Sequence, residues 1–236
     1  MEFFINIFNT FLYQPFFNIL ILLYQVIPGQ DFGVAIIIFT ILVRLLFYPL
    51  TTSAVKSQKV MAELQPKIQE IQQRFKQNKE EQAREIMAFY QKEKVSPFSG
   101  CLPVLIQLPI LIALFQVFIR GFGPEQMIFL YSFIPHPGTV NLFSFNRINL
   151  GEANVFIAIF AGVAQFFQSK MLVPKVQKIK KDDNQVAQVA VIVQKQMLYI
   201  TPVFTIFILL GLPSAVALYW LIAALFSILQ QYLILQ

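Results

Sequence analysis

Apolar residues along this chain gather into a few long runs, set apart by two polar, lysine-rich stretches and one mixed loop. Crossing a hydrocarbon core about 30 Å thick takes roughly 17–25 helical residues. Residues 33–50, 101–119 and 153–169 each meet that length, and the last run, 196–236, exceeds it without one Asp, Glu, Lys or Arg. That run is interrupted by Gly211, Leu212 and Pro213, and proline ends or restarts a helix because it has no N–H to donate. The pattern therefore predicts a fourth span over 196–211 and a fifth over 214–235.

The first 32 residues read differently. Pro15 divides them, and Asn6, Asn9, Gln14, Asn18 and Gln25 interrupt the greasy positions. Phe16, Phe17, Leu20, Leu23 and Tyr24 recur at helical spacing up to a stop at Pro28 and Gly29. A helix with one apolar and one polar face lies in the membrane interface rather than across it. Residues 1–32 are thus expected to form an interfacial amphipathic segment. Its polar face carries no Lys or Arg, which keeps a sixth span open as the alternative. With no basic n-region and no A-x-A-like site, a secretory signal is not expected, and the mature chain is expected to begin where the sequence does.

Residues 51–100 have their own pattern. Met61, Leu64, Ile68, Ile71 and Phe75 follow the 3-4 spacing of a two-helix seam. After KQNKEE, Ala83, Ile86, Met87 and Tyr90 resume helical spacing. This predicts an antiparallel helical hairpin turning near Gln77, Asn78 and Lys79. A helix is expected to start near Pro66, because proline suits a first turn.

Composition settles the solvent. The chain is 57% hydrophobic and 13% charged, with a mean hydropathy of +0.64, whereas a soluble domain carries about 25% charged residues. The fold class expected is an all-α polytopic membrane protein: a five-helix transmembrane core with an outer-face amphipathic helix and a cytoplasmic helical hairpin. Lys and Arg number nine in 51–100 and six in 170–195, against none in 1–32 and two, Arg120 and Arg147, in 119–152. Because cytoplasmic loops carry the basic excess, 51–100 and 170–195 face the cytoplasm, while 1–32 and 120–152 face outward. The N-terminus is then outside, the C-terminus inside, and a bacterial plasma membrane is the expected setting. The basic hairpin reads equally as a solvated element or as an arm for an RNA-rich or anionic-lipid partner. Cys101 is the sole cysteine and His136 the sole histidine, so no disulfide, metal site or cofactor is expected, and His136 reads as a solvated loop residue.

One residue stands out. Arg44 lies within the first span, where a guanidinium costs at least about 2.5 kcal/mol on insertion scales. None of the five spans contains an Asp or Glu to pair with it. It sits about six residues, roughly 9 Å, from the expected cytoplasmic end of its helix, within reach of snorkelling. The alternative is a wet pocket inside the bundle. Thr40 lies one turn away on the same face, Gln107 is in the second span, and Gln165 and Gln168 are one turn apart in the third. Each Gln also suits ordinary helix-packing glue. Uncharged groups of this kind solvate a guanidinium without neutralising it, leaving a net-positive recess. No Ser–His pair, carboxylate dyad or phosphate-cradling glycine loop accompanies it. A binding surface is expected, not a catalyst.

VRLLFYPLT (43–51), LQPKIQEIQQRF (64–75), SPFSGCLPVLIQLPILIALF (96–115) and YITPVFTIFILLGLPSAVALYW (199–220) resemble the YidC/Oxa family of membrane-protein insertases, as does IPGQDFGVAI (27–36). The resemblance covers nearly the whole chain and implies five core spans, an outer amphipathic helix and a cytoplasmic hairpin. It implies an insertase and chaperone that accepts nascent membrane-protein segments and releases them sideways into the lipid bilayer. It puts the groove's positive charge on Arg44 and groove-lining positions at Gln107, Gln165 and Trp220. The substrate's path along the second and fourth core spans falls at Pro103 and Pro202. The ribosome and the Sec translocon are the implied partners, and no DNA is. Two departures from the family are expected. The chain has no large extracytoplasmic domain or extra N-terminal span, and no charge follows Lys195, so ribosome contact would rest on the hairpin and on 170–195. A small secondary transporter for an anionic solute, or a lipid scramblase, is the rival reading. Neither calls for a long helical hairpin.

Overall fold

The computed structural model describes the backbone of residues 2–93, 95, 102–172 and 185–235, and the side chains of these except 2, 4, 102–104, 106, 185–195 and 197. The chain begins with α1 (Glu2–Phe8), a π-helical stretch (Asn9–Tyr13) and α2 (Gln14–Val26). Pro15 does not divide this segment. A proline clashes with the carbonyl four residues before it, and the wider π-helical turn just ahead of Pro15 makes room without ending the helix.

After the turn at Gly29 and Gln30, both at positive φ, α3 (Phe32–Leu46) begins and α4 (Tyr48–Arg74) follows it at a bend of 67°. The span expected over 33–50 therefore ends four residues early, and Tyr48, Pro49 and Leu50 open the next helix. Phe47 is in the sparsely allowed region at φ −90°, ψ 6°, and Pro49, in the first turn of α4, cannot continue the hydrogen-bond ladder of α3.

The expected hairpin is present, as α4 against α5 (Lys79–Lys92), turning at Asn78, whose side chain caps α5 by accepting from Glu81 N at 3.2 Å. Two details differ from expectation. Pro66 starts no helix: α4 runs straight through it, on an exposed face where water can satisfy the carbonyl it leaves unbonded. On α5 the buried face also differs in part from the expected one. Ala83 and Met87 are exposed, while Gln82 is buried and Ile86 and Tyr90 are partly buried. Gln82 donates to Gln72 O at 2.6 Å, and that bond sets the register which apolar spacing alone misplaced. Leu64 and Ile68 are buried at the seam as expected.

The rest of the membrane part is α6 (Leu102–Arg120), α7 (Val155–Leu172), α8 (Gln185–Leu209) and α9 (Ser214–Leu235). Among the described residues, Ile5–Val26, Val155–Leu172 and Ser214–Leu235 are long and apolar enough to cross a membrane, and the bent pair α3 and α4 makes a fourth when counted as one span. Gln107–Arg120 and Leu198–Leu209 are shorter apolar stretches of α6 and α8. Small residues bring α7, α8 and α9 close together. Ala158, Ala161 and Ala217 are buried where these helices meet, and a Cβ at Gly162 would overlap Ile206 and stand 3.1 Å from Pro202 O. Close backbone approach of this kind is how helices associate when lipid is the solvent.

The loop from 121 to 154 caps one end of the bundle. Its strands β1 (Phe143–Ser144) and β2 (Ile148–Asn149) pair antiparallel around Phe145 and Asn146, both at positive φ, the signature of a primed hairpin turn. Asp31 clasps this hairpin to the start of α3. Its carboxylate accepts from Val34 N at 3.0 Å and from the Ser144 hydroxyl at 2.9 Å, and also from Phe145 N. Gly33 permits the approach, because the Ser144 side chain occupies the space a Cβ would need. The same loop supplies partners for the first turn of α9: Ser214 N donates to Glu152 O at 2.7 Å and Ala215 N to Leu150 O at 3.0 Å. Otherwise unpaired helix-start donors are satisfied there.

Burial alone would push the Asp31 carboxyl up, but the bonds from Phe145 N, Val34 N, Ser144 and Gly33 N outweigh it and hold it below its ordinary value. A lowered folded value means the clasp's charge-dependent stability is complete above the unfolded value, about 3.9, and is lost as pH falls through the folded one. Asp31→Asn is expected to lower the thermal midpoint in detergent at pH 7, and the gap to wild type should narrow below about pH 4. A gap that stays constant with pH would mean the charge is not what holds the hairpin.

Candidate functional site

Arg44 is in the last turn of α3, two residues from its end rather than six. Its side chain does not run out along the helix. The guanidinium turns into the bundle and donates to Gln107 Oε1 of α6 at 3.1 Å. Arginine only donates, so the Gln107 oxygen must face it and the amide nitrogen must face away. That nitrogen donates to the Tyr219 hydroxyl of α9 at 2.8 Å. Three helices thus contribute to one polar chain: cation, amide, phenol. Tyr219 is almost wholly buried, while Arg44 and Gln107 are partly exposed.

This chain solvates the charge but does not neutralise it. Arg44 Nε is buried without a hydrogen-bond partner, and the five membrane helices offer no carboxylate in their sequence. An unmatched cation with a spare donor is costly to keep in an apolar setting and favours any carboxylate that comes within reach. Two amide oxygens at other depths, on Gln116 of α6 and Gln231 of α9, are also buried without partners. At the end of α9 near α4, Gln230 donates to Tyr48 O at 3.2 Å and to the Thr51 and Thr52 hydroxyls at 2.9 Å, tying the base of the hairpin to the last helix.

The other residues singled out in the sequence fall in different places. Thr40 is fully buried and its hydroxyl donates to Ile36 O at 2.7 Å, so it is satisfied within its own helix and does not reach the polar chain. Gln165 and Trp220 meet each other, the indole N–H donating to Gln165 Oε1 at 3.1 Å. Neighbouring residues on a helix point about 100° apart, so Trp220 faces α7 while Tyr219 faces α6. Gln168 is partly buried one turn from Gln165. Pro202 is buried in α8, with its carbonyl against Gly162. The side chain of Pro103 lies outside the described residues, as does Cys101. His136 is exposed, and its Nδ1 accepts from Gly138 N at 3.1 Å.

Tyr219 is the member that reading the sequence missed. Its signal was present: a tyrosine within a charge-free span must find a partner for its hydroxyl. Tyr219→Phe removes the acceptor of the part-buried Gln107 amide and leaves that donor unpaired, at about 1 kcal/mol. The expected outcome is a lower thermal midpoint in detergent, with Gln107→Leu partly rescuing it in the double variant. Additive losses would show that the two residues are not coupled.

The family model described as 60Kd inner membrane protein matches residues 19–236. The protein named membrane protein insertase YidC from Fusobacterium nucleatum is 34% identical over 206 residues, covering 87% of this chain and 87% of its own length. Membrane protein insertase MisCA from Bacillus subtilis is 34% identical over 214 residues, covering 88% of this chain and 72% of its own. Membrane protein insertase YidC from Chloroherpeton thalassium is 36% identical over 208 residues, of which this chain spans 33% of the relative's length. With nearly its whole length matched by the family model and by relatives at this level of identity, the chain belongs to the 60Kd inner membrane protein family, that of the YidC insertases.

Proposed function

We propose that this protein is a membrane-protein insertase: it takes up nascent transmembrane segments beside Arg44 and releases them laterally into the bilayer. The observation that carries the reading is the Arg44 cation held by Gln107, which is itself bonded to Tyr219, with the Arg44 Nε left unpartnered. A substrate must move a polar, often acidic, tail across hydrocarbon. A polar recess shortens the dry path, and Arg44 pairs transiently with a tail carboxylate while the apolar segment gains burial in lipid. Gln165, Gln168 and Trp220 are assigned supporting roles along that path, and Pro103 and Pro202 mark the helices past which the segment slides. The work is binding and release, and no cofactor is assigned to it.

The orientation follows from charge. Loops 51–100 and 170–195 face the cytoplasm, with the N-terminus outside and the C-terminus inside. Residues 1–32 lie along the outer interface. Tyr13 is bonded to Gln126 and covered by Arg120 at the end of α6, while Tyr24 meets Phe32 at the start of α3. The half of this helix from Tyr13 to Tyr24 thus meets the same end of the bundle at both positions, which supports lying across it. The basic hairpin is the surface offered to a ribosome or to a Sec translocon.

The test is reconstitution of the purified protein into liposomes with a short single-span substrate, reading insertion by protease protection. Insertion above empty liposomes is expected. Fluorescent-lipid flip-flop without insertion would instead favour a scramblase.

A further inference from the structure

An apolar groove of about 750 Å³ runs between α7 and α9, lined by Phe160, Val163, Phe167, Leu221 and Leu225 and closed at one end by Lys170. It belongs to a different face from the polar chain. Leu221 and Leu225 follow Tyr219 by two and six residues, and at 100° per residue they stand on the far side of α9. Val163, Phe167 and Leu225 are each about half exposed, so the groove opens sideways, toward what surrounds the helices.

We propose that this groove binds an anionic phospholipid, its acyl chain along the apolar wall and its phosphate at Lys170. Two features commit it to that occupant. Among the described residues no Asp or Glu lines the groove, and the Lys170 Nζ stands over the Phe166 ring, 5.9 Å from the centroid. Phe160 and Lys170 are ten residues apart, about 15 Å along the helix, which puts the cation at one end as a headgroup requires. A purely apolar partner helix would leave the Lys170 charge without a counterpart.

Native mass spectrometry of the full chain released from detergent micelles, with phosphatidylglycerol or phosphatidylcholine added, tests this independently of insertion activity. Wild type should retain phosphatidylglycerol over phosphatidylcholine. Lys170→Gln should lower phosphatidylglycerol retention about fivefold, while Lys170→Arg and the hairpin variant Lys79→Gln leave it unchanged. Filling the groove with Val163→Trp should reduce both lipids without changing the helical circular dichroism. Equal retention of the two lipids, or an unaltered Lys170→Gln, overturns the proposal. So does efficient cross-linking between two copies carrying Val163→Cys and Leu225→Cys, which would assign the groove to a second copy of the chain.

Discussion

In proteoliposomes, Arg44→Ala is expected to lower insertion of a substrate with an acidic outer tail roughly tenfold or more, while a neutral-tailed substrate is affected little. A hydrogen bond to a charged group contributes about 1.5–3 kcal/mol, and each 1.4 kcal/mol or so is a factor of ten in rate. Arg44→Lys should retain part of the activity. An ammonium keeps the charge but lacks the fork that lets one face hold Gln107 while another meets a carboxylate. The thermal midpoint separates function from structure. Removing a cation that has no carboxylate partner relieves a desolvation cost, so Arg44→Ala should unfold no earlier than wild type even as it loses activity. Equal insertion by all three proteins would sink the charged-groove account and leave Arg44 as an anchor.

Gly162→Leu should be the most destabilising change within the membrane helices. A side chain there overlaps Ile206 and meets the Pro202 carbonyl. Ile206 can turn aside, but the backbone of α8 cannot. Overpacking of a tight site costs about 1–3 kcal/mol, and here the upper end applies because α7 and α8 must separate. A fall in the thermal midpoint on the order of 10 °C is expected for a chain of this size, with Gly162→Ala showing a smaller loss. If Leu is tolerated as well as Ala, the close approach of α7 and α8 at Pro202 is not required for stability.

Much of this architecture was legible because lipid is an undemanding judge of sequence. Every backbone group inside hydrocarbon must be satisfied within its own helix, so run length alone located the cores of α3, α6, α7, α8 and α9. The hairpin was legible for a related reason: the seam of Leu64 and Ile68 needs a partner. What failed was local. Pro15 and Pro66 read as breaks, yet one is accommodated by a π-helical turn and the other by an exposed helix face. Proline forbids one hydrogen bond, not the helix around it, when the neighbours can adjust. The register of α5 depended on a polar bond from Gln82 that apolar spacing does not encode.

The sequence by itself determined which segments are apolar enough to span, where the basic residues accumulate, and that one arginine sits in a span with no acid to match it. These are properties of single helices and of composition, set before any two helices meet. Only the tertiary structure decided what that arginine touches. Its partner Gln107 is 63 residues away and the next link, Tyr219, a further 112, while Thr40, on its own helix one turn off, is occupied by Ile36. Hydrogen bonds between helices depend on which faces are brought together. Those faces meet only when α3, α6 and α9 pack together, and no single helix's sequence carries that information.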